Sequence, residues 1–113
     1  MSFNIVPTRA FLKKLKKLYK KYPSIKSDVK ELGLSLTENP FQGDALGKDC
    51  YKVRMAISSK GKGKSGGARV ITCVKIIRNT IIMLTIYDKS EQDSIDNKDL
   101  TDFLDQAEQD GLI

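Results

Sequence analysis

YKVRMAISSKGKGKSGGARVITCV, running from Tyr51 to Val74, reads as two strands joined by a lysine-glycine loop. Tyr51, Val53, Met55 and Ile57 alternate with Lys52, Arg54, Ala56 and Ser58. The period of two in a strand buries the first set and presents Lys52 and Arg54 together on the other face. The loop adds Lys60, Lys62 and Lys64, and Gly66-Gly67 leads into a second run, Ala68 to Ile77, with Arg69 at its mouth. Cations fixed on strands beside a mobile cationic loop point to a phosphate-bearing ligand.

Outward from this segment, the loop from Glu38 to Asp49, with Asn39-Pro40, Gly43 and Gly47, connects it to a helical hairpin. Phe11, Leu12, Leu15, Leu18, Tyr19 and Tyr22 recur at helical spacing after Thr8, a good N-cap, and Pro23 ends the run. Ser24 is placed to cap a second helix with Ile25, Val29, Leu32 and Leu36 on its buried stripe. A short strand, Phe3 to Val6, precedes the hairpin. On the other side, Arg78-Asn79-Thr80 reads as a turn into Ile81–Tyr87, a run apolar enough to be buried on both faces. Simple alternation sends Ile82, Leu84 and Ile86 toward the helices, and Ile81, Met83, Thr85 and Tyr87 to the cationic face. A final helix, capped by Asn97, carries Leu100, Phe103, Leu104 and Ala107 on one stripe; it is expected to cover Ile81 and Met83 and to set Asp102 and Asp105 beside the cations. The fold class is therefore α+β: a mainly antiparallel sheet of about four strands, mixed by the N-terminal strand, packed on a helical hairpin with a C-terminal helix.

A chain of 113 residues suits one domain spanning 1–113. No apolar run is long enough to span a bilayer and the first residues lack a secretory pattern, so a cytoplasmic protein without membrane contact is expected. The formal charge of +6 hides a polarity, because residues 1–87 hold 18 Lys and Arg against 5 Asp and Glu, whereas residues 88–113 hold 2 against 9. The basic part suits a polyanion. The absence of histidine removes serine-histidine and cysteine-histidine catalysis, and Cys50 with Cys73 makes no metal-ligand set, so neither metal nor cofactor is expected. Gly63-Lys64-Ser65 resembles the end of a nucleotide phosphate loop, but Ser58 stands where the first glycine belongs and a strand follows where a helix should.

The order of elements, together with KKYPSIKSDVKEL, YKVRMAI, SGGARVI and IYDKSE, resembles the RelE/ParE superfamily of bacterial toxins, most closely its RelE- and HigB-like mRNA interferases. That resemblance implies a type II toxin that cleaves mRNA on the ribosome and is silenced by a cognate antitoxin; it leaves the free oligomeric state open. It implies a catalytic set of Lys52, Arg54, Arg69 and Tyr87, with Lys52 in proton transfer, Arg69 stabilising the transition state, Arg54 holding phosphate, and Tyr87 stacking or moving a proton. Lys60, Lys62, Lys64 and Lys89 are expected to bind the RNA backbone, and Arg69 to be exposed. The alternatives are a ParE-like toxin that blocks a topoisomerase by protein contact and a basic RNA-binding module without catalysis.

Overall fold

The structure, a computed structural model, describes residues 3–113, so Met1 and Ser2 lie outside it. Its elements are β1 (Asn4–Pro7), α1 (Arg9–Lys21), α2 (Ile25–Glu38), β2 (Asp44–Gly47), β3 (Cys50–Met55), a single 3-10 turn (Ser58–Lys60), β4 (Ala68–Lys75), β5 (Thr80–Asp88) and α3 (Asn97–Gln109). The sheet has five strands in the order β1-β5-β4-β3-β2. Only β1 runs parallel to its neighbour, β5, and the class is α+β as read from the sequence.

The strand that sequence reading missed is β2, which pairs Asp44 with Lys52 and Ala45 with Tyr51. Its residues, DALG, carry neither β-branching nor alternation, so nothing local separates it from a loop. Gly43 is required there: at φ +96°, a Cβ would come within 2.4 Å of the Lys52 carbonyl oxygen.

The two helices of the hairpin cover one face of the sheet. Phe11, Leu15, Leu18, Tyr22, Ile25, Leu32 and Leu36 pack there against Val53, Met55, Ile57, Val70 and Val74. Thr8 caps α1, accepting from Phe11 N–H at 3.0 Å. Ser24 precedes α2 without capping it, since its hydroxyl donates to Asp28 at 2.8 Å. The other face is covered by α3, whose Leu100 and Ala107, with Phe103 and Leu104 beside them, pack on Cys50, Ile71, Cys73, Ile82 and Leu84. Asp96, not Asn97, is the N-cap of α3 and accepts from Asp99 N–H at 2.8 Å.

Strand β5 departs from simple alternation. Ile71 pairs with Thr85 and Thr72 with Met83, which leaves Leu84 as an extra residue in a β-bulge. The bulge inverts parity: Ile81 and Met83 join the hairpin core with Ile86, whereas Ile82, Leu84 and Tyr87 face α3. The expected covering of Ile81 and Met83 by α3 is thereby corrected to Ile82 and Leu84. Thr8 satisfies the carbonyls at the bulge, its N–H donating to Met83 O at 3.0 Å and its hydroxyl to Leu84 O at 3.1 Å.

Candidate active site

Beyond α3, at the other end of the same face, register brings three side chains into a row. Arg54 on β3 lies directly opposite Arg69 on β4, and Arg69 opposite Tyr87 on β5. The phase of the ladder tightens this row. Val74 N–H donates to the Asp49 carbonyl at 2.9 Å, so 49/74 is a hydrogen-bonded pair. Alternation from there makes Lys52/Ile71 and Arg54/Arg69 non-hydrogen-bonded pairs, in which Cα atoms approach to about 4.5 Å and side chains lie closest. Two like charges directly opposite destabilise a strand pair unless an anion joins them.

Arg54 is exposed, and its guanidinium makes no hydrogen bond or ion pair among the described residues. Arg69 is different. It is 5% exposed, which corrects the expectation of a surface residue. Nη1 donates to Lys64 O at 2.9 Å and Ala68 O at 3.0 Å, and Nη2 to Ser65 O at 3.3 Å. A loop that turns back on itself leaves carbonyls with no ladder partner, and Arg69 supplies their donors. Three of the five N–H groups of a guanidinium are thus committed to shaping the loop, and the other two have no partner among the described residues.

Tyr87 is 3% exposed, and its hydroxyl is a buried polar atom without a hydrogen-bond partner among the described residues. Burial pushes its phenol above the usual value; Arg69 pulls it back and Asp93 adds to the rise. Lys52 is half-buried two residues along β3 from Arg54, on the same face. Its charge and that of Arg69 both act on the Asp93 carboxyl, which Lys89 holds below the usual carboxylate range by a hydrogen bond and its charge. Lys89 is therefore ion-paired with Asp93. Asp93 also takes the position beside the cations expected of Asp102 and Asp105; Asp102 is exposed and paired with Lys98 at 3.4 Å.

The lysines of the loop divide. Lys62 and Lys64 are exposed. Lys60, expected to bind RNA with them, is buried against Asp88: its ammonium lies 2.7 Å from Oδ1, with the side chains 11% and 0% exposed. It also donates to the Ser90 hydroxyl at 3.2 Å. The first turn of the loop is held, bound to Asp28 through Ser58 and to Ser24 through Ser59, at 2.6 and 2.8 Å. Gly67 closes it against the end of β3, where any Cβ would meet the Met55 carbonyl oxygen at 2.1 Å. Asp88, Asp93 and Asp28 were not singled out in the sequence. Only Asp88 leaves a trace there, as an acid at the end of an otherwise buried strand.

Comparison with known proteins agrees with this architecture. A family model described as the RelE toxin of the RelE/RelB toxin–antitoxin system matches residues 8–110. No curated protein matches the chain by sequence. Among solved structures, a doubly substituted E. coli toxin RelE in the free state is 15% identical with a TM-score of 0.64, covering 94% of this chain and 98% of that one. The intact E. coli RelBE toxin–antitoxin complex gives 17% identity and a TM-score of 0.59, covering 77% and 96%. The RelBE2 toxin–antitoxin complex of Mycobacterium tuberculosis gives 18% and 0.61, covering 78% and 92%.

Proposed function

The chain belongs to the RelE toxin family of toxin–antitoxin systems, and from that premise we propose that it is an endoribonuclease that cleaves mRNA on the ribosome. The opposed pair Arg54/Arg69, continued by Tyr87, carries this reading. The fold uses Arg69 to bind loop carbonyls but gives no reason for a second arginine directly opposite it, whereas a phosphate shared by the two removes the repulsion and gains charge-assisted hydrogen bonds.

In the reaction, the 2′-hydroxyl attacks the neighbouring phosphorus and the bond to the 5′-oxygen breaks, leaving a 2′,3′-cyclic phosphate and a 5′-hydroxyl. Arg54 and the free N–H groups of Arg69 hold the non-bridging oxygens as charge builds on them. Tyr87, protonated at neutral pH as a phenol ordinarily is and raised further by burial, is the donor to the leaving 5′-oxygen, and its unpartnered hydroxyl is the structural support for that role. Lys52 is assigned to accept the 2′ proton. Side chains carry the proton transfers and no metal is invoked. Lys62 and Lys64 bind backbone phosphate.

A cognate antitoxin is proposed as the controlling partner, since two of the similar structures are toxin–antitoxin complexes. It would bring acidic charge to the basic surface. The test is primer extension of transcripts after induced expression, with and without functional ribosomes. New 5′ ends within translated codons, dependent on the ribosome, are expected. Growth arrest without any cut would move the protein to the topoisomerase-blocking class.

A further inference from the structure

Asp88 follows Tyr87 in β5, and its side chain turns to the opposite face, where it is 1% exposed. Among the described residues its carboxylate accepts from Tyr22, Lys60 and Ser90, which belong to three different segments. Oδ2 accepts from the Tyr22 hydroxyl at the end of α1, at 2.5 Å. Oδ1 accepts from Lys60 at 2.7 Å, from Ser90 N–H at 2.9 Å and from the Ser90 hydroxyl at 2.8 Å. One buried group thus ties together the helical hairpin, the first turn of the lysine loop and the turn after β5. Lys89 N–H adds a backbone bond to the Gly67 carbonyl at 3.0 Å, closing the same seam from the other end of the loop.

The catalytic row is flanked by the two segments that Asp88 joins. Lys62 and Lys64 stand on the loop, held at its far end by Arg69, while Tyr87 and Lys89 stand on either side of Asp88 in sequence. The Asp88–Lys60 contact spans these two segments. We propose that Asp88 is a positioning residue, acting through Lys60, that fixes the loop whose carbonyls hold the Arg69 guanidinium, and so sets Arg69 relative to Tyr87 around the scissile phosphate. The inference rests on the nuclease reading above and adds a residue that touches no substrate. Conformational search by an unanchored loop would lower the fraction of bound RNA in reacting geometry while leaving the exposed cations free to bind.

Four proteins decide it: native, Asp88→Asn, Lys60→Met and the double variant Asp88→Asn/Lys60→Met. Each is followed by single-turnover cleavage of mRNA on programmed ribosomes, by ribosome binding, by thermal melting and by amide exchange of residues 61–67. Asp88→Asn is expected to slow cleavage at saturating ribosome roughly 10- to 100-fold with unchanged binding, and to speed exchange in the loop. The double variant removes both charges, so its melting temperature should recover relative to the singles while cleavage stays slow. Recovery of cleavage together with melting would make the pair merely structural and overturn the proposal, as would a native rate in Asp88→Asn. If Asp88→Asn does not fold, Lys60→Gln, which leaves Asp88 its Tyr22 and Ser90 bonds, carries the same test. If the native protein cuts no RNA, the nuclease reading fails and the positioning proposal falls with it, a result distinct from cleavage by the native protein with a native rate in Asp88→Asn, which overturns the proposal alone.

Discussion

Two ends of one sheet face, crossed by the same strands, have opposite fates. At one end the rung Cys50, Cys73 and Ile82 lies under Leu100 and Ala107 of α3, wholly buried. Four residues along β3, the rung Arg54, Arg69 and Tyr87 faces the same way but carries two opposed cations and an unpartnered hydroxyl. Apolar rungs need a cover, and α3 supplies it. Of the two arginines in the cationic rung only Arg69 is used by the fold, through the loop carbonyls; Arg54, opposite it, gains no partner among the described residues and adds a like charge.

The comparison is broken most severely by removing the cover. Truncation after Ser94 exposes Ile82, Leu84 and Cys73 and forfeits the burial of Leu100, Phe103 and Leu104, each contributing roughly 1.5–3 kcal/mol when fully buried. A fall in melting temperature and faster amide exchange over residues 81–87 are expected; no change in either would mean that α3 is not the cover.

Next comes the seam between the ends. Replacing Asp88 by Ala strands Lys60 and should cost about 3–5 kcal/mol, read by chemical denaturation. Burial alone would raise the Asp88 carboxyl, but the Lys60 ammonium, the Tyr22 hydroxyl and the Ser90 bonds outweigh it and hold it well below the usual carboxylate range. A depressed value means stability that is complete above the unfolded pKa of about 3.9 and lost as pH falls toward the folded one. The native protein should therefore lose melting temperature more steeply than Asp88→Asn between about pH 5 and pH 2; parallel slopes would remove Asp88 from acid sensitivity.

At the cationic rung itself, Arg69→Ala should cost about 1.5–3 kcal/mol, because loop carbonyls lose charged donors. Growth inhibition should vanish with it. Smallest is the pair Lys62→Ala/Lys64→Ala: stability should stay within about 0.5 kcal/mol, while the salt dependence of ribosome binding falls by roughly one unit of log-log slope per lysine. A larger loss of stability would show that these lysines, like Lys60, are built into the fold.

Alternation on β3, the cap of α1, the stripes of α1 and α3, and the two-sided burial of β5 are local patterns, and the residues display them directly. The fate of Lys60 and Lys62 is not local. Both sit in the same lysine-glycine run, and only the arrival of Asp88 from β5 distinguishes them. The bulge at Leu84 is equally silent in an unbroken apolar run, since it is fixed by register against β4 and by Thr8 from the start of α1. Arg69 was placed on the correct face, but its burial follows from loop carbonyls whose positions no pattern reveals.

Arg54 offers the most direct test of the central claim, because it is exposed and lacks a hydrogen bond or ion pair among the described residues, so its loss should leave the fold untouched. The measurement is the map of mRNA 5′ ends after induction of Arg54→Ala at matched expression, with melting temperature as the control. The account predicts a native melting temperature and disappearance of the cuts. Cuts that persist at native frequency in the folded variant would contradict the assignment of this rung as the site of RNA cleavage.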